Sequence, residues 1–369
     1  MKVVLVAGAR PNFMKIAPIY REAVKHEDIT CKLVHTGQHY DYEMSQTFFD
    51  DLDIPAPHYF LNVGSGSHAV QTAGVMTGFE AVCEKEKPDC VIVVGDVNST
   101  LACAIVAKKL LISLAHVEAG LRSFDPAMPE EINRVVTDSI SDFFFVTEKS
   151  AVENLMREGK PENRVHFVGH VMIDNLLHQL GRVENGYTPP PALRALKMKL
   201  GRYIFLTLHR PSNVDRRENL AEIVEALNRI SKEYPIAFPV HPRTGKMLAS
   251  HGIVLSPDIY PLPPLSFKES LYLWKDAVLV MTDSGGLQEE TTALGVPCIT
   301  LRQNTERPVT LLAGTNILGG TETQSILKAY RQGLGAVGKA HQVPPLWDGR
   351  ASERIWDILR RSFPGGNAS

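Results

Sequence analysis

Asp283-Ser284-Gly285-Gly286-Leu287-Gln288-Glu289-Glu290 follows the apolar run Ala277-Val278-Leu279-Val280-Met281, an order that reads as strand, glycine turn and helix start. An open parallel sheet binds phosphate at such a place. Two glycines let backbone approach a ligand, the helix N-terminus offers free N–H donors with a partial positive charge, and Ser284 adds a hydroxyl. Glu290 stands one turn into the helix, where a carboxylate can accept from ribose hydroxyls. Amide donors at one end and a carboxylate at the other suit a nucleoside diphosphate. Taken alone, the same stretch also reads as a helix N-cap that binds nothing.

At 369 residues the chain is too long for one ordinary core and suits two domains. A hydrophobic content of 44% and a charged content of 22% are those of a soluble globular chain, and a net charge of −2 provides no general field for nucleic acid or an anionic membrane. Neither is an expected partner, and any anion site must be local. The apolar start, residues 3–9, runs into Arg10-Pro11 and is too short for a secretory core or a membrane span, so the expected location is the cytoplasm. Five cysteines are odd in number, scattered through apolar segments and never at metal-ligand spacing; they read as reduced core thiols. No histidines fall at i, i+4 on a predicted helix or near a cysteine pair, and no Gly-x-Gly-x-x-Gly fingerprint opens the chain. The expectation is therefore no metal and no nicotinamide cofactor.

Short β-rich runs at 3–6, 31–35, 90–94, 114–117, 143–146 and 165–168 alternate with helical patterns, and runs at 204–208, 236–240, 253–255, 278–281 and 298–301 repeat the scheme. Such alternation means right-handed crossovers and parallel sheets covered on both faces. The predicted fold class is α/β, with two doubly wound parallel-sheet domains facing a cleft. The division falls in the loop-like region containing Asn185-Gly186-Tyr187-Thr188-Pro189-Pro190-Pro191, with expected domains of 1–172 plus 350–369, and 173–349. In such domains ligands sit at the carboxyl ends of the strands.

The residues at those ends are rich in charge. Gly8-Ala9-Arg10-Pro11 with Lys15 places two cations at a helix start, where they oppose the dipole and so imply an anion; Lys15 reads equally as a helix-surface charge. Gly95-Asp96 follows one strand and Glu118-Ala119-Gly120-Leu121-Arg122 another, and Pro129-Glu130-Glu131 with Arg134 opens a helix soon after. Asp96 as an N-cap and the two glutamates as dipole complements are the plainer explanations. Several carboxylates sharing one enclosed site nevertheless spread their pKa values, which equips the site for acid–base work. His209-Arg210 and His241-Pro242-Arg243 close two strands of the second half. Arg307 is either a salt-bridged loop anchor or a phosphate clamp.

In combination, Gly8 to Pro11 with Lys15, Gly95-Asp96, His116-Val117-Glu118-Ala119-Gly120-Leu121-Arg122, Pro129-Glu130-Glu131 with Asn133-Arg134, His209-Arg210, Asp283 to Glu290 and Thr305-Glu306-Arg307-Pro308 resemble the non-hydrolysing UDP-N-acetylglucosamine 2-epimerases along nearly the whole chain. The resemblance implies a glycosyltransferase-B architecture of two Rossmann-like domains with a C-terminal helix returning to the first. It implies reversible C2 epimerisation of UDP-N-acetylglucosamine without a cofactor, by anti elimination of UDP through 2-acetamidoglucal and re-addition. It assigns Asp96, Glu118, Glu130 and His209 to proton transfer and oxocarbenium stabilisation, with the base for each face left open. It assigns Arg10, Ser284, Gly285, Gly286 and Arg307 to the diphosphate, Glu290 to the ribose, and Lys15 and Arg134 to the sugar side. A homodimer is implied, as is a second UDP-N-acetylglucosamine bound as activator near Gln38, His39 and His241. The sequence departs from the commonest pattern at Ala9, Asn12, Val309 and Tyr40. The first three bear on which UDP-sugar is used, with UDP-2,3-diacetamido-glucuronic acid as an alternative, and hydrolysis or glycosyl transfer as alternative reactions; Tyr40 bears on the activator site beside Gln38 and His39.

Overall fold

The structure is a computed structural model that describes residues 1–37, 46–338 and 341–363; of Arg10, Gln46, Thr47 and Phe48 it describes the backbone only. Two compact units emerge, one of Met1–Asn175 with Pro345–Ser369 and one of Leu176–Pro344. The first holds strands β1 (Lys2–Ala7), β2 (Thr30–His35), β3 (Tyr59–Phe60), β4 (Cys90–Val94), β5 (Ser113–Val117), β6 (Phe143–Val146) and β7 (Val165–Phe167). They form one parallel sheet in the order β3-β2-β1-β4-β5-β6-β7. The second holds β8 (Ile204–Thr207), β9 (Ile236–Pro239), β10 (Ile259–Leu262), β11 (Leu279–Thr282), β12 (Cys298–Thr300) and β13 (Asn316–Leu318) in the order β10-β9-β8-β11-β12-β13. Both are doubly wound, so strand order reverses at β1/β4 in the first unit and β8/β11 in the second. No helix among the described residues is long and apolar enough to cross a membrane.

Period-two alternation explains how each sheet is covered. In β1 and β4, Val3, Leu5, Ala7, Ile92 and Val94 face a cluster built with Phe13, Ile16, Ile355 and Trp356, whereas Val4, Val6, Val91 and Val93 face Val75, Phe79, Ala102 and Val106. Burial of each of the Val, Leu, Ile and Phe side chains contributes roughly 1.5 to 3 kcal/mol. The helix Ala351–Ser362 belongs to the first cluster: its Trp356 indole donates to the Ile19 carbonyl at 2.8 Å, and the buried Asp174 caps its first turn through the Ala351 and Ser352 amides. In the second unit Leu206, Leu279, Met281 and Ile299 pack with Ile223, Leu227 and Ile326.

Differences from the sequence reading lie at sheet edges. The run 253–255 is not a strand; Ile253 and Leu255 pack against the core from a loop, and the edge strand is Ile259–Leu262. Its Pro261 lacks an N–H, which an outermost strand tolerates. The short outermost strands β3 and β13 carry too few residues to register as a pattern.

Backbone at the end of β5 is tightly constrained. Gly120 has φ +78°, and a methyl group there would stand 2.5 Å from the Ala151 carbonyl oxygen and 2.9 Å from the Leu155 side chain. Gly120→Ala is expected to lower stability by roughly 2 to 5 kcal/mol, combining a strained backbone with overpacking. Denaturant midpoints measure the effect, and an unchanged midpoint would mean that the loop yields without penalty.

Candidate functional site

At the β1/β4 reversal of the first unit, Gly8 leads into the helix Arg10–Ala23, whose opening turn is tied by the Asn12 side chain accepting from the Ala9 amide at 2.9 Å. Lys15 on this helix forms an ion pair with Glu118, the residue that follows β5. Glu118 is buried and has φ +68°, a strained conformation for a side-chain-bearing residue, held by its amide donating to the Phe145 carbonyl at 3.0 Å. Gly95, at φ +67°, leaves room for this pair: a methyl group there would lie 3.1 Å from the Lys15 amine. Asp96 follows at once and accepts from Arg134 at 2.6 Å, while its carbonyl accepts from Asn133 at 2.8 Å. Asp96, Glu118, Lys15 and Arg134 are thus gathered at the ends of β4 and β5.

The neighbouring glutamates part ways. Glu131 is buried and accepts from the Ser123 and Phe124 amides and from Arg134. Burial alone would raise its pKa, but these donors hold it below the ordinary carboxylate value. Glu130 is exposed, and its carboxylate makes no hydrogen bond or ion pair among the described residues. Arg122 is buried between Asp138 and Glu158, a structural anchor.

At the β8/β11 reversal of the second unit, His209 and Asp283 meet. Asp283 is fully buried and accepts from the His209 ring at 2.9 Å, from the His209 and Arg210 amides and from Asn213. Burial pushes its pKa up; the His209 bonds and charge and the amides outweigh that and hold it below the ordinary value. With Nδ1 engaged by Asp283, His209 keeps Nε2 for a ligand. The sequence pattern places Asp283 in the phosphate loop and does not reveal this partnership. A signal exists, since both residues stand just beyond the ends of strands that pair in register, Thr207 beside Thr282.

Ser284 begins the helix Gly285–Leu294, and its side chain makes no capping bond. Its amide donates to the Thr282 hydroxyl at 2.9 Å. Methyl groups at Gly285 or Gly286 would meet no protein atom within 4 Å, so both glycines leave the helix N-terminus open on its outer side. A cavity of about 310 Å³ lies here, lined by His209, His241, Phe267, Trp274, Ser284, Gly286 and Glu290. That size suits a nucleoside. His241 caps its own helix by accepting from the Arg243 amide, and its ring centre lies 6.0 Å from that of His209. Arg307 pairs with Glu289 at 2.6 Å, so it is anchored on the same helix. Gln288, to which the sequence pattern gives no role of its own, ties the loops together: it donates to the Ser284 carbonyl and accepts from Thr305 and Asn316. Gln38 and His39 lie outside the described residues, as does the Arg10 side chain.

Burial, and then the adjacent Glu289 charge, push the Glu290 carboxyl up to about 8 from an ordinary 4.5. Between those values the folded chain keeps a proton that the unfolded chain has released, so this group removes stability as pH rises through that window. Glu290→Gln cannot ionise and is expected to exceed the parent in stability near about pH 8, with the gain vanishing near about pH 4. Denaturation midpoints at the two pH values decide it; an equal difference at both would show that Glu290 does not titrate in this window.

The sequence model of the family described as UDP-N-acetylglucosamine 2-epimerase matches residues 21–360. A UDP-N-acetylglucosamine 2-epimerase of Methanocaldococcus jannaschii is 44% identical over 365 residues, 97% of this chain and 99% of its own. A UDP-2,3-diacetamido-2,3-dideoxy-D-glucuronate 2-epimerase of Pseudomonas aeruginosa is 39% identical over 368 residues, 98% of this chain and 100% of its own. The crystal structure of the Methanocaldococcus jannaschii UDP-GlcNAc 2-epimerase in complex with UDP-GlcNAc and UDP matches with a TM-score of 0.83 at 43% identity, covering 98% of this chain and 100% of its own. The chain belongs to the UDP-N-acetylglucosamine 2-epimerase family, and its fold is of the glycosyltransferase-B type.

Proposed function

We propose that the protein interconverts UDP-N-acetylglucosamine and UDP-N-acetylmannosamine without net hydrolysis. The observation that carries this reading is the pair of carboxylates Asp96 and Glu118 beyond adjacent strand ends, each meeting a cation from a separate helix. A weakly acidic C2–H needs a base on one face of the sugar and an acid on the other. A base takes the C2 proton, the bond from C1 to the phosphate oxygen breaks, and UDP leaves with the electron pair to give 2-acetamidoglucal. Reprotonation at C2 from the opposite face and return of UDP to C1 complete the epimerisation. Asp96, Glu118, Glu130 and His209 are the groups proposed for these transfers and for the positive charge that develops at the ring.

The second unit is proposed to supply most of the groups that hold UDP. Ser284, the Gly285 and Gly286 amides, Arg10 and Arg307 are assigned to the diphosphate, and Glu290 to the ribose; Lys15 and Arg134 are assigned to the sugar side. The open helix N-terminus beside the nucleoside-sized cavity supports this assignment. Preorganised donors for the departing diphosphate supply more of the acceleration than acid–base help, which accounts for roughly 10²–10⁴-fold. The Pseudomonas aeruginosa relative favours a second reading, a diacetamido-glucuronate nucleotide as substrate of the same chemistry.

Proton NMR in deuterated water with each nucleotide sugar tests both. Deuterium at C2 together with the 2-epimer of one of them is expected. Free N-acetylmannosamine with UDP would move the protein to the hydrolysing reaction, and UDP binding without any C2 exchange would overturn epimerisation. Asp96→Asn and Glu118→Gln are expected to lower kcat by roughly 10²–10⁴-fold while UDP still binds. Full activity in either variant would remove that residue from the chemistry.

A further inference from the structure

His116 lies inside β5 with its ring fully buried, facing the helix Pro129–Ile140. One ring nitrogen, Nδ1, is 2.7 Å from the Asp138 carboxylate; the other, Nε2, is 2.8 Å from the Gly95 carbonyl oxygen. Both partners are acceptors, so the two bonds hold together only when each ring nitrogen carries a proton. The opposite Asp138 oxygen accepts from Arg122 at 2.7 Å and from the Gly120 amide at 3.0 Å, and Arg122 is completed by Glu158.

This arrangement reaches both carboxylate-bearing loops. Gly95 immediately precedes Asp96, and its amide also donates to the Val117 carbonyl of β5 at 3.0 Å, so both sides of the Gly95 residue are tied to the neighbouring strand. Glu118 lies between His116 and Gly120, the two residues that Asp138 grips, and has the left-handed backbone that the grip must hold in place. None of His116, Asp138 or Arg122 is exposed, and none belongs to the groups assigned to substrate.

We infer that His116, clamped by Asp138, is the positioning residue that fixes Asp96 and Glu118 relative to each other for proton transfer. The inference rests on the epimerase reading. Loss of the clamp lets the Gly95 carbonyl and the Glu118 turn move independently, and a displacement of about 1 Å is enough to lower turnover by about 10²-fold. Affinity for UDP, assigned mainly to residues of the second unit, is unaffected.

The test compares His116→Gln, Asp138→Asn and the double variant. In His116→Gln the amide still donates to Gly95, but its oxygen meets the Asp138 carboxylate; in the double variant the asparagine amide introduced by Asp138→Asn can donate to that oxygen. Each single variant is expected to lose about 10²-fold in kcat with KM and UDP affinity retained, and the double variant to recover part of the loss. Folded single variants with full kcat, or kcat and UDP affinity falling together with the folded fraction, would overturn the inference. Nitrogen NMR of the parent protein labelled at histidine keeps the question decidable if a variant does not fold: a buried ring protonated at both nitrogens supports the clamp, and a singly protonated ring sinks it. That spectrum reads the clamp even where the parent shows no C2 exchange, so failure of the epimerase reading and failure of the clamp are separate results.

Discussion

A carboxylate with no access to water must be surrounded by donors, and this constraint organises both sheet ends. Asp138 and Asp283 are each fully buried, and each spends its oxygens on a histidine ring and on backbone amides. Burial by itself raises both carboxyls, yet both are held below the ordinary value because the donors outweigh the penalty. The chain folds so that the loops come to the aspartates. In the first unit the loops carry Asp96 and Glu118; in the second they carry His209 and the open helix start at Ser284.

The two histidines differ in what remains of them. His116 has acceptors at both nitrogens and no exposed surface, which makes it a fastener. His209 has one nitrogen engaged and a partly exposed ring beside the cavity, which leaves it a group that can act on a ligand. The partners are similar, and it is exposure that separates the roles. The same division holds among the cations: the buried Arg122 is consumed by Asp138 beneath it and Glu158 at the surface, whereas Lys15 and Arg134 pair with the carboxylates Glu118 and Asp96 at the strand ends.

Much of the fold was legible. Central strands such as Cys90–Val94 are buried on both faces and read as continuous apolar runs, and their alternation with helical patterns pointed to two doubly wound sheets. Edge strands were poorly legible because one side lacks a neighbour and the selection for apolar residues relaxes; Ile259–Leu262 with Pro261 and the two-residue Tyr59–Phe60 are the examples. In the site, glycine turns and charges at strand ends marked Asp96, Glu118, Lys15 and Ser284. Asp138 carried no mark at all, since an aspartate near the end of an amphipathic helix is unremarkable until a histidine from a strand is seen beneath it.

The sequence by itself determined which residues stand at strand ends, because period-two burial and the glycine turns are local properties of the chain. It also determined family membership, through motifs distributed along its length. Only the tertiary structure decided which charges are paired: Glu131 with Arg134, Arg307 with Glu289, His209 with Asp283 and His116 with Asp138. Pairing depends on which strands lie side by side and on what water can reach. Crossovers fix the first and the packing of helices on the sheet fixes the second, and neither is written in the spacing of residues along the chain.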